Sequence, residues 1–145
     1  MTLSTRRYRV VTHATGLLLL LMAGVAQAQK LTKIGTTSVG TPVMLEARSV
    51  TRTGDTVTAT VRALLQPAMK SPKGDYKSTR SIAMFNCGEQ TVATKERWFY
   101  YDEKGTKEAR HDKPGIPGFA APFKGSLSDV AMMYLCTAGA KSGAR

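Results

Sequence analysis

Two cysteines constrain this chain more than any other feature of its sequence. Cys87 ends the segment AMFNC, which has the pattern of a strand, and Cys136 ends SLSDVAMMYLC, which has the pattern of a short helix. The two positions are 49 residues apart. If they are bonded, the last helix is fastened to a strand end, and the fold must bring those two ends together.

Three roles are open to such a pair. A structural zinc site normally needs four Cys or His ligands at close spacing, and beyond residue 28 the chain offers only Cys87, Cys136 and His111, without CxxC or HxxxH. A cysteine nucleophile would need a free thiolate in an oxidising compartment. We therefore predict a Cys87–Cys136 disulfide, worth roughly 4 kcal/mol in the chain-entropy model, and no metal or cofactor.

The first 28 residues have the composition of an export signal. Arginines at positions 6, 7 and 9 precede the apolar run GLLLLLMAGV, and AQA at 26–28 is a small-x-small cleavage site. The apolar run is about half of the roughly 20 residues that a bilayer span needs. We predict cleavage after Ala28, no transmembrane span in the mature chain, and a location in the periplasm, at the cell surface or outside the cell, where disulfides persist.

Strand patterns fill the region before the last helix. In TVTATVRALL, apolar residues from Val57 to Leu65 alternate with polar ones, which is the period of a half-buried strand. We expect further strands in residues 29–41, 43–50, 76–87 and 91–101, a short one near 108–111, a turn at 51–55 and a loop at 67–75.

The helix is expected over 126–136, with Ser126 as its N-cap and Asp129 completing a capping-box-like pattern. Its apolar stripe should consist of Leu127, Val130, Ala131 and Tyr134. Strands followed by one helix predict an α+β fold, an antiparallel sheet of about five to six strands with one C-terminal helix packed on it. The single domain should span 29–137, followed by a disordered basic tail at 138–145.

Strand alternation places Cys87 on the same face as Ala83 and Phe85, so the helix should cover that face. Ile82 and Met84 then point the other way and need a different cover. The long loop or a partner chain could supply it, which leaves a homodimer open.

The position of Cys136 on the helix is harder to reconcile with the expected apolar stripe. It lies nine residues after Leu127, about half a turn away from the expected stripe at 3.6 residues per turn. Either the helix ends or tightens before Leu135, or its buried face is centred nearer Val130 and Met133.

Positive charge is the feature most open to function. Three of the 21 Lys and Arg residues lie in the first 28, so the rest of the chain has 18 against 10 acidic residues, a net charge of +8. In an exported protein the natural polyanions are lipopolysaccharide, anionic glycans and acidic protein surfaces, and we expect no nucleic acid. Alternatively, the positive charge only keeps the protein soluble, and the aromatic residues belong to its core. The proposed binding residues are Lys70, Lys73, Lys77, Arg80, Lys95, Arg97, Lys104, Lys107, Arg110 and Lys113.

Catalysis is not expected. The sequence has no GxSxG, no phosphate-binding glycine loop and no paired carboxylates on one face. His111 lies in the polar stretch EARHDKPG and is interpreted as a solvated loop histidine, and Glu96 as a surface ion-pair partner. We therefore predict no catalytic residues.

Four segments resemble the surface-adhesin protein E family of Gram-negative bacteria. They are RTGDTVTATV at the start of the long strand, GDYKSTRSIAMFNC leading to the first cysteine, WFYYDEKG at an aromatic strand end, and KGSLSDVAMMYLC ending on the second cysteine. The resemblance extends over about residues 45–136. Two features depart from the family: Leu31 and Arg62 stand where it often has tryptophan, and no lipobox cysteine is present.

The resemblance implies an antiparallel sheet of about six strands with a helix disulfide-bonded to it. It also implies non-catalytic binding of host matrix or plasma proteins such as vitronectin and laminin. In this chain the basic residues would form the binding surface, and anionic envelope polymers are the other class of ligand. A periplasmic structural or secretion-accessory role is the alternative. A hydrolase inhibitor is less favoured, because a basic chain is repelled by a basic target such as lysozyme.

Overall fold

Strands make up most of the fold. A computed structural model describes residues 30–142, with side chains up to residue 137, so the expected signal segment lies outside the described residues. No helix within this range is long and apolar enough to cross a membrane. The elements in chain order are β1 (Leu31–Thr36), β2 (Pro42–Glu46), a 3-10 helix (Ala47–Ser49), β3 (Thr51–Thr53), β4 (Thr56–Met69), β5 (Tyr76–Asn86), β6 (Thr91–Tyr100), β7 (Glu108–Asp112) and α1 (Leu127–Ser142).

All these strands belong to one antiparallel sheet. Its order is β1-β2-β4-β5-β6-β7, and β3 pairs with the start of β4. The centre is the long β4–β5 pair, which runs in register from Thr56 opposite Asn86 to Leu64 opposite Ser78. The predicted α+β class, with one antiparallel sheet and one C-terminal helix, is confirmed.

The apolar core lies between α1 and one side of the sheet, which we call the helix face. The alternation in β4 buries Val57, Ala59 and Val61, and β5 adds Ala83 and Phe85 as predicted. Phe85 is 0% exposed and the largest fully buried side chain. The other side of the sheet, the open face, carries the intervening residues of the same two strands, among them Thr58, Thr60, Arg62, Arg80, Ile82 and Met84.

A disulfide joins α1 to the sheet. Cys87 and Cys136 are bonded, with Cα atoms 5.4 Å apart, which confirms the predicted pairing. Arg52 of β3 adds a second link at the same end, because its Nη2 donates to the carbonyl oxygen of Leu135 at 3.0 Å. Both cysteines pack against the core. The second half of the helix is therefore held to the sheet covalently and by a hydrogen bond.

The buried face of α1 differs from the predicted stripe. Met132 and Leu135 are each 4% exposed, whereas Tyr134 is 40% exposed and Met133 64%. The helix continues past Cys136 without tightening, so both sequence-based solutions to its position were wrong. Residues four apart share a helix face, so the bonded Cys136 brings Met132 to the sheet and turns Met133 outward.

The helix begins as predicted and ends later. Ser126 Oγ accepts a hydrogen bond from the N–H of Asp129 at 3.3 Å, while the Asp129 carboxylate accepts from the N–H of Gly125 at 2.7 Å. The backbone of residues 138–142 is helical where the sequence predicts a disordered tail. Small residues such as alanine continue a helix readily once Cys136 has anchored it. Residues 143–145 lie outside the described range, and the domain limits stay a prediction.

Two strand boundaries also differ from the sequence interpretation. β2 ends at Glu46 and gives way to the 3-10 helix, although the alternation continues to residue 50. β4 extends through Pro67 to Met69, into the predicted loop. Proline cannot donate to the ladder, and the β4–β5 register is interrupted between Leu64 and Met69 before Met69 pairs with Tyr76.

Candidate binding surfaces

Six of the proposed basic residues lie at one end of the sheet. The turn at 70–75 joins β4 to β5 and the loop at 101–107 joins β6 to β7. Alternate hairpins of an antiparallel meander turn at the same end, so these two connections come together. We call residues 70–77 and 101–110 the lysine end. It contains Lys70, Lys73, Lys77, Lys104, Lys107 and Arg110.

Aromatic rings hold the two connections against each other. The rings of Tyr76 and Phe99 stack with centroids 5.1 Å apart, and the ring of Tyr101 lies 5.9 Å from that of Tyr76. Gly74 has a φ of 122°, and a Cβ there would lie 3.3 Å from the Tyr101 ring. The turn needs glycine for its backbone conformation and for this close contact. The lysine end is therefore a packed structure with exposed cations at its edge.

Carboxylates shape the turns of the lysine end. Asp102 accepts hydrogen bonds from the backbone N–H groups of Lys107 at 2.7 Å and Thr106 at 3.0 Å. The bond from the Lys107 N–H is the main reason that the pKa of Asp102 lies below its usual range. Asp75 pairs with Lys70 at 2.6 Å. Both acids thus stabilise the connections in which they lie.

The remaining lysines of this end are exposed and make no ion pair within residues 30–137. They are Lys73, Lys77, Lys104 and Lys107. Arg110 pairs with Asp112 at 2.7 Å, which raises the pKa of its guanidinium. The lysine end contains six cationic side chains and four carboxylates, so its net charge is positive. The carboxylates are those of Asp75, Asp102, Glu103 and Glu108.

The other four proposed residues lie elsewhere. Lys113 pairs with Glu96 at 3.0 Å beside the edge of β7, and Lys95 is exposed on β6. Arg80 is on the open face and Arg97 on the helix face. The structure therefore does not bring all ten residues into one surface.

A β-bulge in β6 explains part of this separation. Its register with β5 shifts between Ile82 and Ala83, which leaves Lys95 as an extra residue. Ala93 pairs with Met84 on the open face, whereas Arg97 pairs with Ser81 on the helix face. Strict alternation would put Ala93, Lys95 and Arg97 on one face, but it fails across the bulge.

The open face contains an ion cluster that the sequence analysis missed. Glu46 of β2 is 2% exposed, and its Oε1 lies 2.6 Å from Nε of Arg62 and 2.9 Å from Nε of Arg80. Burial alone would raise the pKa of the Glu46 carboxyl, but hydrogen bonds from Arg80 and Arg62, with their charges, hold it below the usual range. The three residues come from three strands, so only the strand register could have placed them together.

Beside this cluster, the side chains of Arg80 and His111 both contact the ring of Trp98. The Arg80 guanidinium lies 5.0 Å from the Trp98 ring centroid, and the His111 ring stacks on Trp98 at 4.6 Å. His111 Nε2 is 3.2 Å from a Glu96 oxygen. His111 is exposed, as interpreted, but it lies in β7 and not in a loop, and its ring packs on an aromatic ring.

These groups form a network of ion pairs and ring contacts. Lys113, together with His111, holds the pKa of Glu96 below its usual range, so this carboxyl is an ion-pair partner, as predicted. In the described part of the chain, no group of three or more His, Cys, Asp or Glu residues is arranged to hold a metal ion. The open face offers guanidinium and aromatic surfaces for binding.

A family model for the surface-adhesin protein E matches residues 31–137, which include every strand and most of α1. The chain belongs to the surface-adhesin protein E family. The family assignment agrees with the four sequence segments that resemble it, and it identifies an adhesin-like surface protein. A search of curated proteins finds no match to this sequence.

Three solved structures are among those similar to this chain. Haemophilus influenzae protein E is 15% identical over 68% of this chain and 80% of that chain, with a TM-score of 0.46. Its crystal form II is 14% identical over 79% of this chain and 97% of that chain, with a TM-score of 0.49. Protein E from non-typeable Haemophilus influenzae is 13% identical over 79% of this chain and 89% of that chain, with a TM-score of 0.49. The family assignment rests on the family model and not on these structures.

Proposed function

We propose that this protein is an exported, non-catalytic binding protein that attaches to extracellular matrix or plasma proteins, or to anionic envelope polymers, through the lysine end. The observation that carries the proposal is the convergence of Lys73 and Lys77 with Lys104 and Lys107, from two segments about 30 residues apart in the chain, at one end of the sheet. None of the four makes an ion pair within residues 30–137, so their charge is available to a ligand.

Aromatic packing favours this end as a binding surface. Tyr76, Phe99 and Tyr101 fix the two connections, so the backbone that carries the lysines is already ordered and loses less conformational freedom on binding. Tyrosine is also enriched at protein interfaces. Family membership in a group of surface adhesins points to protein ligands as the first class to test.

The excess of positive charge predicts a salt-sensitive interaction. Exposed charges are screened over about 10 Å at 0.1 M salt, so binding should weaken as ionic strength rises. Each exposed ion pair contributes about 0.2–1 kcal/mol, so four lysines together should account for an affinity change of about tenfold or more. A homodimer through the open face, where Ile82 and Met84 are half-buried, stays a separate prediction.

The test compares two variants with the same change in charge. One replaces Lys73, Lys77, Lys104 and Lys107 by glutamine; the matched control replaces Lys30, Lys33, Lys95 and Lys124, which lie outside the lysine end. Binding to immobilised laminin, vitronectin and heparin is measured at low and at physiological salt. The first variant should lose about tenfold or more in affinity and the control should bind like the parent. Equal losses in both variants, or no salt-sensitive binding by the parent, would overturn the proposal.

A further inference from the structure

The helix face carries a pocket that the lysine end does not include. Its volume is about 450 Å³, and it lies between the outer half of the sheet and the segment 120–128 that leads into α1. Small-molecule sites typically measure about 300–1,000 Å³ and have mainly apolar walls with a few placed polar groups. Here the walls include Leu65, Val92, Phe99 and Phe123.

The segment that closes the pocket is fixed to the sheet. The N–H of Val92 donates to the carbonyl oxygen of Ala120 at 2.8 Å, and the N–H of Ala120 donates back at 3.1 Å. At its other end, the segment runs into the capped start of α1 at Ser126. The segment is therefore held in place at both ends, by backbone hydrogen bonds to β6 and by the helix cap.

One cation lines this pocket, and its position is set by neutral groups. Arg97 Nε donates to Ser81 Oγ and Arg97 Nη2 to Thr94 Oγ1, each at 3.3 Å. Ser81 is only 4% exposed, so the guanidinium is held from the buried side. No carboxylate lines the pocket. Asp112, which lies opposite Arg97 on β7, is bound by Arg110.

A half-buried arginine that makes no ion pair within residues 30–137 is a binding group for an anion. Partial burial of a charge costs free energy unless an opposite charge compensates it, and guanidinium forms strong hydrogen bonds to carboxylate and sulfonate oxygens. The apolar wall of the pocket is also partly exposed to solvent, since Phe123, which lines it, is 89% exposed. A ligand with an anionic head and an apolar body would satisfy both features.

We propose that this pocket binds a small amphipathic anion, with its carboxylate or sulfonate on Arg97 and its apolar body between Phe99 and Phe123. The two groups that the variants below change, Arg97 and Phe123, lie outside the lysine end, although Phe99 borders both sites through its contact with Tyr76. A protein of the cell envelope would meet such compounds as fatty-acid-like or aromatic carboxylates.

The first test uses 8-anilinonaphthalene-1-sulfonate as a fluorescent probe and competes it with decanoate, decanol and decylamine. The parent protein should bind the probe, and decanoate should displace it far better than decanol or decylamine. Since a hydrogen bond to a charged group contributes about 1.5–3 kcal/mol, Arg97→Gln should weaken decanoate binding about tenfold or more. Lys95→Gln makes the same charge change on the same strand outside the pocket, and it should bind decanoate like the parent.

A second variant keeps the proposal falsifiable if Arg97→Gln is poorly folded. Phe123→Ser changes an exposed side chain, so it should leave the thermal unfolding temperature near that of the parent and still weaken probe and decanoate binding. Decanol that competes as well as decanoate would overturn the proposal. Unchanged decanoate binding in folded Arg97→Gln or in Phe123→Ser would overturn it as well.

Discussion

The two faces of the sheet are stabilised by different kinds of interaction. The helix face is apolar at its centre, where Phe85, Val57 and Val61 pack under α1, and the Cys87–Cys136 bond holds the helix in place. The open face has a buried carboxylate between two arginines and a tryptophan stacked between Arg80 and His111. Apolar burial is non-directional and tolerates a range of geometries, whereas the ion cluster requires its exact partners. The helix face should therefore dominate stability, and the open face should dominate pH sensitivity.

Removal of the disulfide should produce the largest effect. The double variant Cys87→Ser, Cys136→Ser opens a loop of 49 residues and should lose roughly 4 kcal/mol of unfolding free energy. Urea denaturation of parent and variant under non-reducing conditions measures this loss. A loss below about 1 kcal/mol would mean that packing alone holds α1 on the sheet.

Two adjacent methionines test the orientation of α1. Met132 is 4% exposed and Met133 64%. Met132→Ala should cost about 3 kcal/mol because it removes a buried side chain from the core. Met133→Ala is the matched control and should stay within about 0.5 kcal/mol of the parent. The reverse ranking in chemical denaturation would contradict the helix orientation described above.

On the open face, Glu46→Gln should lower the free energy of unfolding by about 2 kcal/mol at neutral pH. This loss is smaller than that for breaking a fully buried ion pair, because both arginines reach solvent. The pKa of Glu46 is lower in the folded than in the unfolded protein. Its contribution to stability is therefore complete above the unfolded pKa, about 4.3, and is lost as pH falls through the folded pKa. Stability measured from pH 7 downward should show parent and variant converging below about pH 4. A constant difference across this range would exclude Glu46 as the titrating group.

Trp98→Leu should have the smallest effect of these variants. It keeps an apolar side chain but removes the ring that contacts Arg80 and His111, which should cost about 0.5–1 kcal/mol. Denaturation measured by circular dichroism suits this variant, since Trp98 is the chain's one tryptophan and its fluorescence is lost. A loss as large as that for Met132→Ala would show that the open face contributes as much as the core.

The two faces also differ in how far the sequence predicts them. The alternation in β4, the N-cap at Ser126 and the disulfide depend on local patterns or on a single pair of residues, and each was predicted correctly. The buried side of α1 was predicted only in part: Leu127 and Ala131 belong to the core as expected, but the stripe through Tyr134 fits helical periodicity as well as the stripe through Met132 does. Only the bond made by Cys136 decides between them.

Binding surfaces were harder to predict because they depend on strand register. Lysines in the two connections could be proposed from charge, but their meeting at one end follows from the hairpin topology. The bulge at Lys95 moved Ala93 to the other face, and the Glu46 cluster joins residues 46, 62 and 80 across three strands. No local pattern encodes either feature.

Hydrogen–deuterium exchange of the protein with and without bound laminin or heparin tests the central claim most directly. Because a ligand slows exchange where it covers or orders the backbone, residues 70–77 and 101–110 should be protected together, while the turn at 87–90 beside the disulfide should exchange as in the free protein. Protection at the disulfide end or across the open face, with the lysine end unchanged, would contradict the account.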